Sequence, residues 1–195
     1  MRLLALRWCS YSAEVIKLVC NMRIDAYVYW SSCTHVCTRR CGGAIVNLAG
    51  TSLAVVDCTF VRNTAYAGGA VYTSSERLPT ITGSEFVNNT CVPTVAGDTP
   101  QGGALAVALG VSLAVNGTSF TGNTSPSGSG GAISSSGAVA VYDAVLSGNS
   151  AAQRGGAIIA QTGSVTLTRV VLLRNSAGLD GAWCEAMQCP CKRVE

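Results

Sequence analysis

Residues 102–124 read GGALAVALGVSLAVNGTSFTGNT. Three signals stand in that stretch: a Gly-Gly-Ala-Leu start, an alternating pair Leu113/Val115, and Phe120 followed three positions on by Asn123. Working outward, the start recurs at Gly42-Gly43-Ala44-Ile45, Gly68-Gly69-Ala70-Val71, Gly130-Gly131-Ala132-Ile133 and Gly155-Gly156-Ala157-Ile158, with a worn sixth copy at Asp180-Gly181-Ala182-Trp183. Each full copy is followed 16 to 18 residues later by a large apolar residue, two variable residues, Asn, and Thr or Ser. These are Phe60 with Asn63, Phe86 with Asn89, Phe120 with Asn123, Leu146 with Asn149 and Leu172 with Asn175. Between the two signals the pairs Leu53/Val55, Pro79/Ile81, Leu113/Val115, Val139/Val141 and Val165/Leu167 alternate with period two, which is the strand period.

A unit of about 25 residues built from short strands cannot bury its own apolar face, so it must stack on its neighbours. The expected fold is all-β, a parallel β-helix of five to six turns. Successive turns lie about 4.8 Å apart, so equivalent residues form columns along the axis. In this reading Phe60, Phe86, Phe120, Leu146 and Leu172 fill the lumen, an alanine column (Ala44, Ala70, Ala104, Ala132, Ala157, Ala182) lets the backbone turn tightly, and glycine pairs supply bends with positive φ. Asn63, Asn89, Asn123, Asn149 and Asn175 form a ladder bonding the backbone of a buried bend and one another. The plainer reading, that Asn merely favours turns, stands beside it. Leucine-rich repeats share the period, but their Leu-x-x-Leu-x-Leu pattern is absent.

Three segments result: 1–41 as an N-terminal cap, 42–183 as the repeats, and 184–195 as a cysteine-rich tail. Residues 12–22 suit a short amphipathic helix, with Ser12 as N-cap and Val15, Ile16, Val19 and Met22 on one face. Met22, Ile24 and Tyr29 have the offsets of a degenerate first turn, with Ser32 in the Asn position. Most of the inequality between repeats can sit in loops: the extra residues of the second fall mainly between Asn89 and Gly102, where Pro93, Gly97, Asp98 and Pro100 mark a surface loop.

Alternation of Gly-Gly-Ala-[Ile/Leu/Val] with Phe-x-x-Asn resembles the repeats of the polymorphic outer membrane proteins, bacterial autotransporter adhesins. The resemblance covers residues 42–183 and is specific to the repeat type. It implies a right-handed β-helix that is exported and contributes to adhesion. Two copies depart from it by carrying Leu146 and Leu172 in place of Phe.

Composition bounds the function. The chain has 195 residues, 48% hydrophobic and 12% charged, with formal net charge +3. That composition excludes disorder, and the charge is too small to imply nucleic acid. The longest apolar stretch, 104–115, falls well short of the ~20 residues a spanning helix needs. The apolar start at Leu3 is stopped by Arg7, so no secretory signal is read there, whereas 10 cysteines point to an oxidising compartment. Together these suggest part of a longer secreted protein.

No catalytic constellation is expected. Asp57 and Asp143 share a column but lie three turns apart, roughly 14 Å at the strand spacing, too far for paired acid/base work. Asp143 and Arg169 share that column in adjacent turns and read as a cross-turn ion pair. Tyr66, Tyr72 and Tyr142 are the candidate surface aromatics. Cys33, Cys37, Cys41, Cys184, Cys189 and Cys191 are candidate disulfide cysteines; His35 within the first cluster keeps a zinc reading open, although the spacing suits it poorly. Cys58 and Cys91 fall in different columns and need not pair. Asn88, Asn116 and Asn123 begin glycosylation sequons, of which Asn123 would point inward. No metal and no cofactor is expected. The functional expectation is a non-enzymatic scaffold of a surface or secreted adhesin-like protein. Its partner would be a host or neighbouring cell-surface protein or glycan. The alternatives are a carbohydrate-active β-helix, or a fragment without independent function.

Overall fold

The structure is a computed structural model that describes residues Val15–Val19, Arg23–Ile24, Val28–Trp30, 42–48, 50–95, 97–179 and Cys184–Glu185. It is all-β: the described residues contain strands, bends and turns and no helix. An incomplete first coil supplies β1 (Val15–Val19), β2 (Arg23–Ile24) and β3 (Val28–Trp30). Five coils of four strands follow. They are β4 (Ile45–Asn47), β5 (Ser52–Val56), β6 (Thr59–Val61) and β7 (Thr64–Ala65); β8 (Val71–Thr73), β9 (Thr80–Thr82), β10 (Glu85–Val87) and β11 (Thr90–Cys91); β12 (Leu105–Val107), β13 (Ser112–Asn116), β14 (Ser119–Thr121) and β15 (Thr124–Ser125); β16 (Ile133–Ser135), β17 (Ala138–Tyr142), β18 (Val145–Ser147) and β19 (Ser150–Ala151); β20 (Ile158–Ala160), β21 (Ser164–Thr168), β22 (Val171–Leu173) and β23 (Ser176–Ala177). A last strand, β24 (Cys184–Glu185), begins the next coil.

Strands in equivalent positions pair in parallel and build four sheets that run the length of the stack. The first holds β3, β4, β8, β12, β16, β20 and β24; the second β1, β5, β9, β13, β17 and β21; the third β2, β6, β10, β14, β18 and β22; the fourth β7, β11, β15, β19 and β23. The register keeps like residues together: Phe86 stands opposite Phe60 and Phe120, Leu146 opposite Phe120 and Leu172. The chain is therefore a parallel β-helix carrying about five stacked turns.

The lumen is the core. Phe60, Phe86, Phe120, Leu146, Ile45, Val71, Leu105, Ile133 and Ile158 are completely or almost completely buried. Strands of the second sheet alternate buried and open residues, as in Ser112–Asn116, because successive side chains leave a strand on opposite faces. The alanine column lies against this core, with Ala44, Ala70, Ala104, Ala132 and Ala157 all buried. Ala182 lies outside the described residues.

The two glycines of each pair do different jobs, which corrects the expectation that both supply positive-φ bends. Gly102 has φ 70°, a left-handed conformation that disfavours any Cβ. Gly103 is not left-handed; a Cβ there would lie 2.1 Å from the Gly131 carbonyl oxygen of the next coil. The first glycine turns the chain, and the second lets neighbouring coils approach.

The helix expected over 12–22 is also corrected: its central residues Val15–Val19 are β1, in parallel register with β5. The sequence VIKLV carries both a helical spacing and a period-two spacing. Its β-branched residues and the exposed backbone edge of β5 favour the strand. The first turn is real but its register differs from the expected one. Ile16 and Leu18 stand opposite Leu53 and Val55, and Ile24 takes the Phe60 column. Tyr29 stands opposite Val46 instead. Spacing alone could not anchor this coil, because it lacks the Phe-x-x-Asn landmark that fixes the others. Met22 and Ser32 lie outside the described residues.

Candidate functional site: stacked columns and an open flank

The bend after the third sheet is built by the asparagines. The Asn89 side-chain oxygen accepts from the backbone N–H and the amide of Asn63, both at 3.0 Å. Its own amide donates to the Phe60 carbonyl at 3.0 Å and to the Asn123 side-chain oxygen at 2.9 Å. Asn123 repeats this with Phe86 and Asn149, and Asn149 with Phe120 and Asn175. Each inner asparagine thus uses both amide hydrogens and both oxygen lone pairs in a dry bend, where an unpaired group would cost about 1–3 kcal/mol. Asn89, Asn123 and Asn149 are fully buried. Turn preference alone does not require this burial or this pairing.

Beside the ladder the Phe column stacks. Ring centroids of Phe60 and Phe86 are 4.6 Å apart with planes at 11°, and those of Phe86 and Phe120 4.8 Å apart at 8°. The coil spacing itself sets the ring spacing, and both fall within the range for aromatic contact. Leu146 continues the column fully buried, whereas Leu172, in the last complete coil, is only partly buried.

Two columns carry a backbone conformation that the sequence reading did not assign, although it had placed Asp57, Asp143 and Arg169 in one of them. Three residues before the Phe/Leu stand Asp57, Gly83, Gly117, Asp143 and Arg169; two residues after it stand Arg62, Asn88, Gly122, Gly148 and Arg174. All ten have positive φ, between 50° and 64°. Glycine or a polar residue at both positions in every coil is the signal that could have found these bends. A second polar ladder runs two residues before the Phe/Leu: the Cys58 N–H donates to the Ser84 hydroxyl at 3.1 Å, and the Ser84 N–H to Thr118 at 3.4 Å. It stops where Ala144 replaces the hydroxyl residue.

On the surface, Arg169 grips Asp143 with two hydrogen bonds, Nε to Oδ1 at 2.5 Å and the second guanidinium nitrogen to Oδ2 at 2.6 Å. These bonds hold the Asp143 carboxyl below its usual range and raise the Arg169 guanidinium. Asp57 occupies the same column, but its carboxylate lies over Gly83, three coils from Asp143. The structure does not bring the two acids together.

The outer faces of the second and third sheets are rich in small and hydroxyl residues: Ser52, Thr80, Thr82, Ser112, Ser119, Thr121, Ser164, Thr166 and Thr168. Tyr142 is exposed on this flank, whereas the Tyr66 hydroxyl reaches the Thr99 carbonyl of the long loop at 3.5 Å. Tyr72 is partly buried in β8. Asn88 and Asn116 are exposed, and Asn123 is buried in the ladder.

Among the described residues no group of three or more His, Cys, Asp or Glu could hold a metal ion. Cys33, Cys37, Cys41, Cys189 and Cys191, with His35, lie outside the described residues, and Cys184 is placed only as the start of β24. Cys58 is disulfide-bonded. Cys91 is a buried free thiol, pushed up to about 11 by burial.

Two stretches of the chain, residues 57–74 and 117–136, match the model of the Chlamydia polymorphic membrane protein repeat. Each runs from one Phe-x-x-Asn to the next Gly-Gly-Ala, so the matched unit is one ladder rung with the glycine bend that follows it. No curated protein and no solved structure matches the chain.

Proposed function

We propose that this chain, whose repeats are of the polymorphic membrane protein type, is a non-enzymatic β-helical scaffold of a surface or secreted adhesin-like protein. The repeat family supports a surface location. The observation that carries the non-catalytic reading is the separation of the acids: Asp57 is three coils from Asp143, and Asp143 is committed to Arg169. A glycosidase or lyase site requires carboxylates, or a carboxylate and a base, to converge on one bond.

A flat hydroxyl-rich flank on a rigid rod suits many weak contacts with an extended partner, a cell-surface protein or glycan, in place of one deep pocket. The loop of residues 92–100 interrupts this regularity and offers a variable contact. Asp98 holds the loop by accepting from the Thr94 hydroxyl at 2.7 Å and the Val95 N–H at 3.1 Å. Incubation with acidic and neutral polysaccharides, followed by mass spectrometry of released oligosaccharides, tests the reading. Retention of the chain on cells or glycan surfaces without release is the expected result; release of oligosaccharides would overturn it.

A further inference from the structure

We propose that the corner between the second and third sheets, at the coil of Tyr142, is a shallow subsite for one pyranose ring of a neutral glycan. Tyr142 supplies the stacking platform, and Asn116, Asp143 and Arg169 supply the hydrogen bonds. The inference rests on the non-enzymatic scaffold reading and deepens it by assigning the ligand chemistry at one point of the flank.

The register sets the placement. Val56, Thr82, Asn116, Tyr142 and Thr168 form one column on the second sheet. The next residue along the chain gives the column Asp57, Gly83, Gly117, Asp143 and Arg169. Coils lie about 4.8 Å apart, so Asn116, Gly117, Tyr142, Asp143, Thr168 and Arg169 share one patch three coils deep. Five of them are exposed, and Thr168 is partly buried.

Three observations converge on this patch. Within residues 42–179, Tyr142 is the one exposed aromatic: Phe60, Phe86 and Phe120 are sealed in the lumen, and Tyr66 and Tyr72 are partly buried. Its column neighbours Asn116 and Thr168 are polar and shorter, so no ring of the stack covers it. The second observation is a gap. A Cβ at Gly117 would meet only the Gly83 backbone, at 3.8 Å, whereas Gly83 itself is covered by the Asp57 carboxylate. The bare position therefore lies beside Tyr142, with Asp57 on one side along the column and Asp143 on the other.

The third observation is hydrogen-bonding capacity held in place. Arg169 spends two of its five N–H donors on Asp143, and each carboxylate oxygen keeps a lone pair. Both side chains remain open to solvent, Arg169 at 69% and Asp143 at 44%. The Asn116 amide has no partner among the described residues and adds two donors and an acceptor. Donors and acceptors thus stand side by side, fixed by the ion pair before any ligand arrives.

The chemistry selects the occupant. A pyranose presents C–H groups on a face and hydroxyls around its rim, and each hydroxyl both donates and accepts. The face suits the Tyr142 ring, and the rim suits the mixed groups of Asn116, Asp143 and Arg169. Charge selects a neutral sugar: Asp57 and Glu85 are exposed carboxylates nearby, and Arg169 is already neutralised by Asp143, so an acidic sugar is repelled. A basic peptide would bring its charge against the open donors of Arg169.

The test titrates the full chain with tetrasaccharides of glucose, galactose and N-acetylglucosamine, followed by saturation-transfer NMR, with polygalacturonate and oligolysine as charged comparators. At least one neutral probe should bind saturably. Tyr142→Ala should weaken that binding about tenfold or more, and Tyr142→Phe should retain most of it. Gly117→Asn should also weaken it about tenfold, because it fills the gap while leaving Tyr142 and the ion pair in place. That variant should fold, since Asp57 and Asp143 hold the same positive φ in the column. Thr82→Ala, in the Tyr142 column but two coils away, should change nothing. The proposal is overturned if no neutral probe binds, if Tyr142→Ala binds like the parent chain, or if polygalacturonate or oligolysine binds more tightly. Each of those results leaves the scaffold reading standing; release of oligosaccharides from a probe would instead overturn that reading.

Discussion

Replacing Asn123 by Ala removes one rung from the middle of the ladder. The Asn89 N–H and one Asn89 amide hydrogen lose their acceptor, and the Phe86 carbonyl loses its donor. All three are buried between coils, and a stranded buried group costs about 1–3 kcal/mol, so the substitution should destabilise by about 3–9 kcal/mol. For a chain of this size that is a fall in Tm of about 6 °C or more. Thermal and urea melts of the parent chain and Asn123→Ala read the change. Three neighbours serve as controls. Asn116→Ala changes an exposed residue and should stay within about 0.5 kcal/mol. Ser125→Ala and Gly122→Ala each alter one contact or one bend and should cost about 1 kcal/mol. If Asn123→Ala cost no more than Ser125→Ala or Gly122→Ala, the ladder would be a turn preference and the argument would fail. A second readout localises the effect: each coil touches only its neighbours, so hydrogen exchange should accelerate first at Asn89 and Thr90 rather than along the whole rod.

Gly103→Ala should destabilise by several kcal/mol, because its Cβ would meet the Gly131 carbonyl at 2.1 Å. Gly148→Asn should cost under about 1 kcal/mol, since nothing lies within 4 Å and Asn88 and two arginines already stand in that column; similar urea midpoints for the two variants would refute the close-approach role. Phe86→Leu should cost about 1–1.5 kcal/mol, as the column already accepts Leu146, and Phe86→Ala about 3–5 kcal/mol, both read by urea melts. The Asp143 carboxyl titrates below its ordinary value because Arg169 bonds its charged form. Its contribution to stability is therefore present above the unfolded-state value of about 4 and is lost as pH falls through the folded one. Carboxyl NMR titration should show that depression, and Arg169→Ala should abolish it; an unchanged titration would disprove the coupling. For Cys91 the sign reverses: the buried thiol is held neutral, so its contribution declines as pH rises past the unfolded thiol value of about 8.5. Native protein at pH 8 should leave Cys91 unalkylated until it unfolds, as peptide mapping would show.

The repeats were legible because a β-helix writes its fold in one dimension. Phe86 meets Phe60 and Phe120 solely because each is displaced by one coil, so a fixed offset in sequence becomes a contact in space. The same logic made the Asp143–Arg169 pair and the lumen residues readable as columns. Where the landmark is missing the method loses its origin. Val15–Val19 carries a helical and a strand spacing at once, and only the free edge of β5 selects the strand and places Ile24, not Tyr29, in the Phe column. The left-handed conformation of the columns through Asp57 and Arg62 escaped because their identities vary among Gly, Asp, Asn and Arg; what they share is only the absence of apolar residues and a positive φ.

By itself, then, the sequence determined the period, the lumen and the identity of each rung, because those depend on offsets between like residues. Tertiary structure decided how the rungs are satisfied, and which glycine turns the chain and which admits its neighbour. Those outcomes depend on atoms one coil away, as when the Asn123 side-chain oxygen satisfies both the Asn89 N–H and the Asn89 amide.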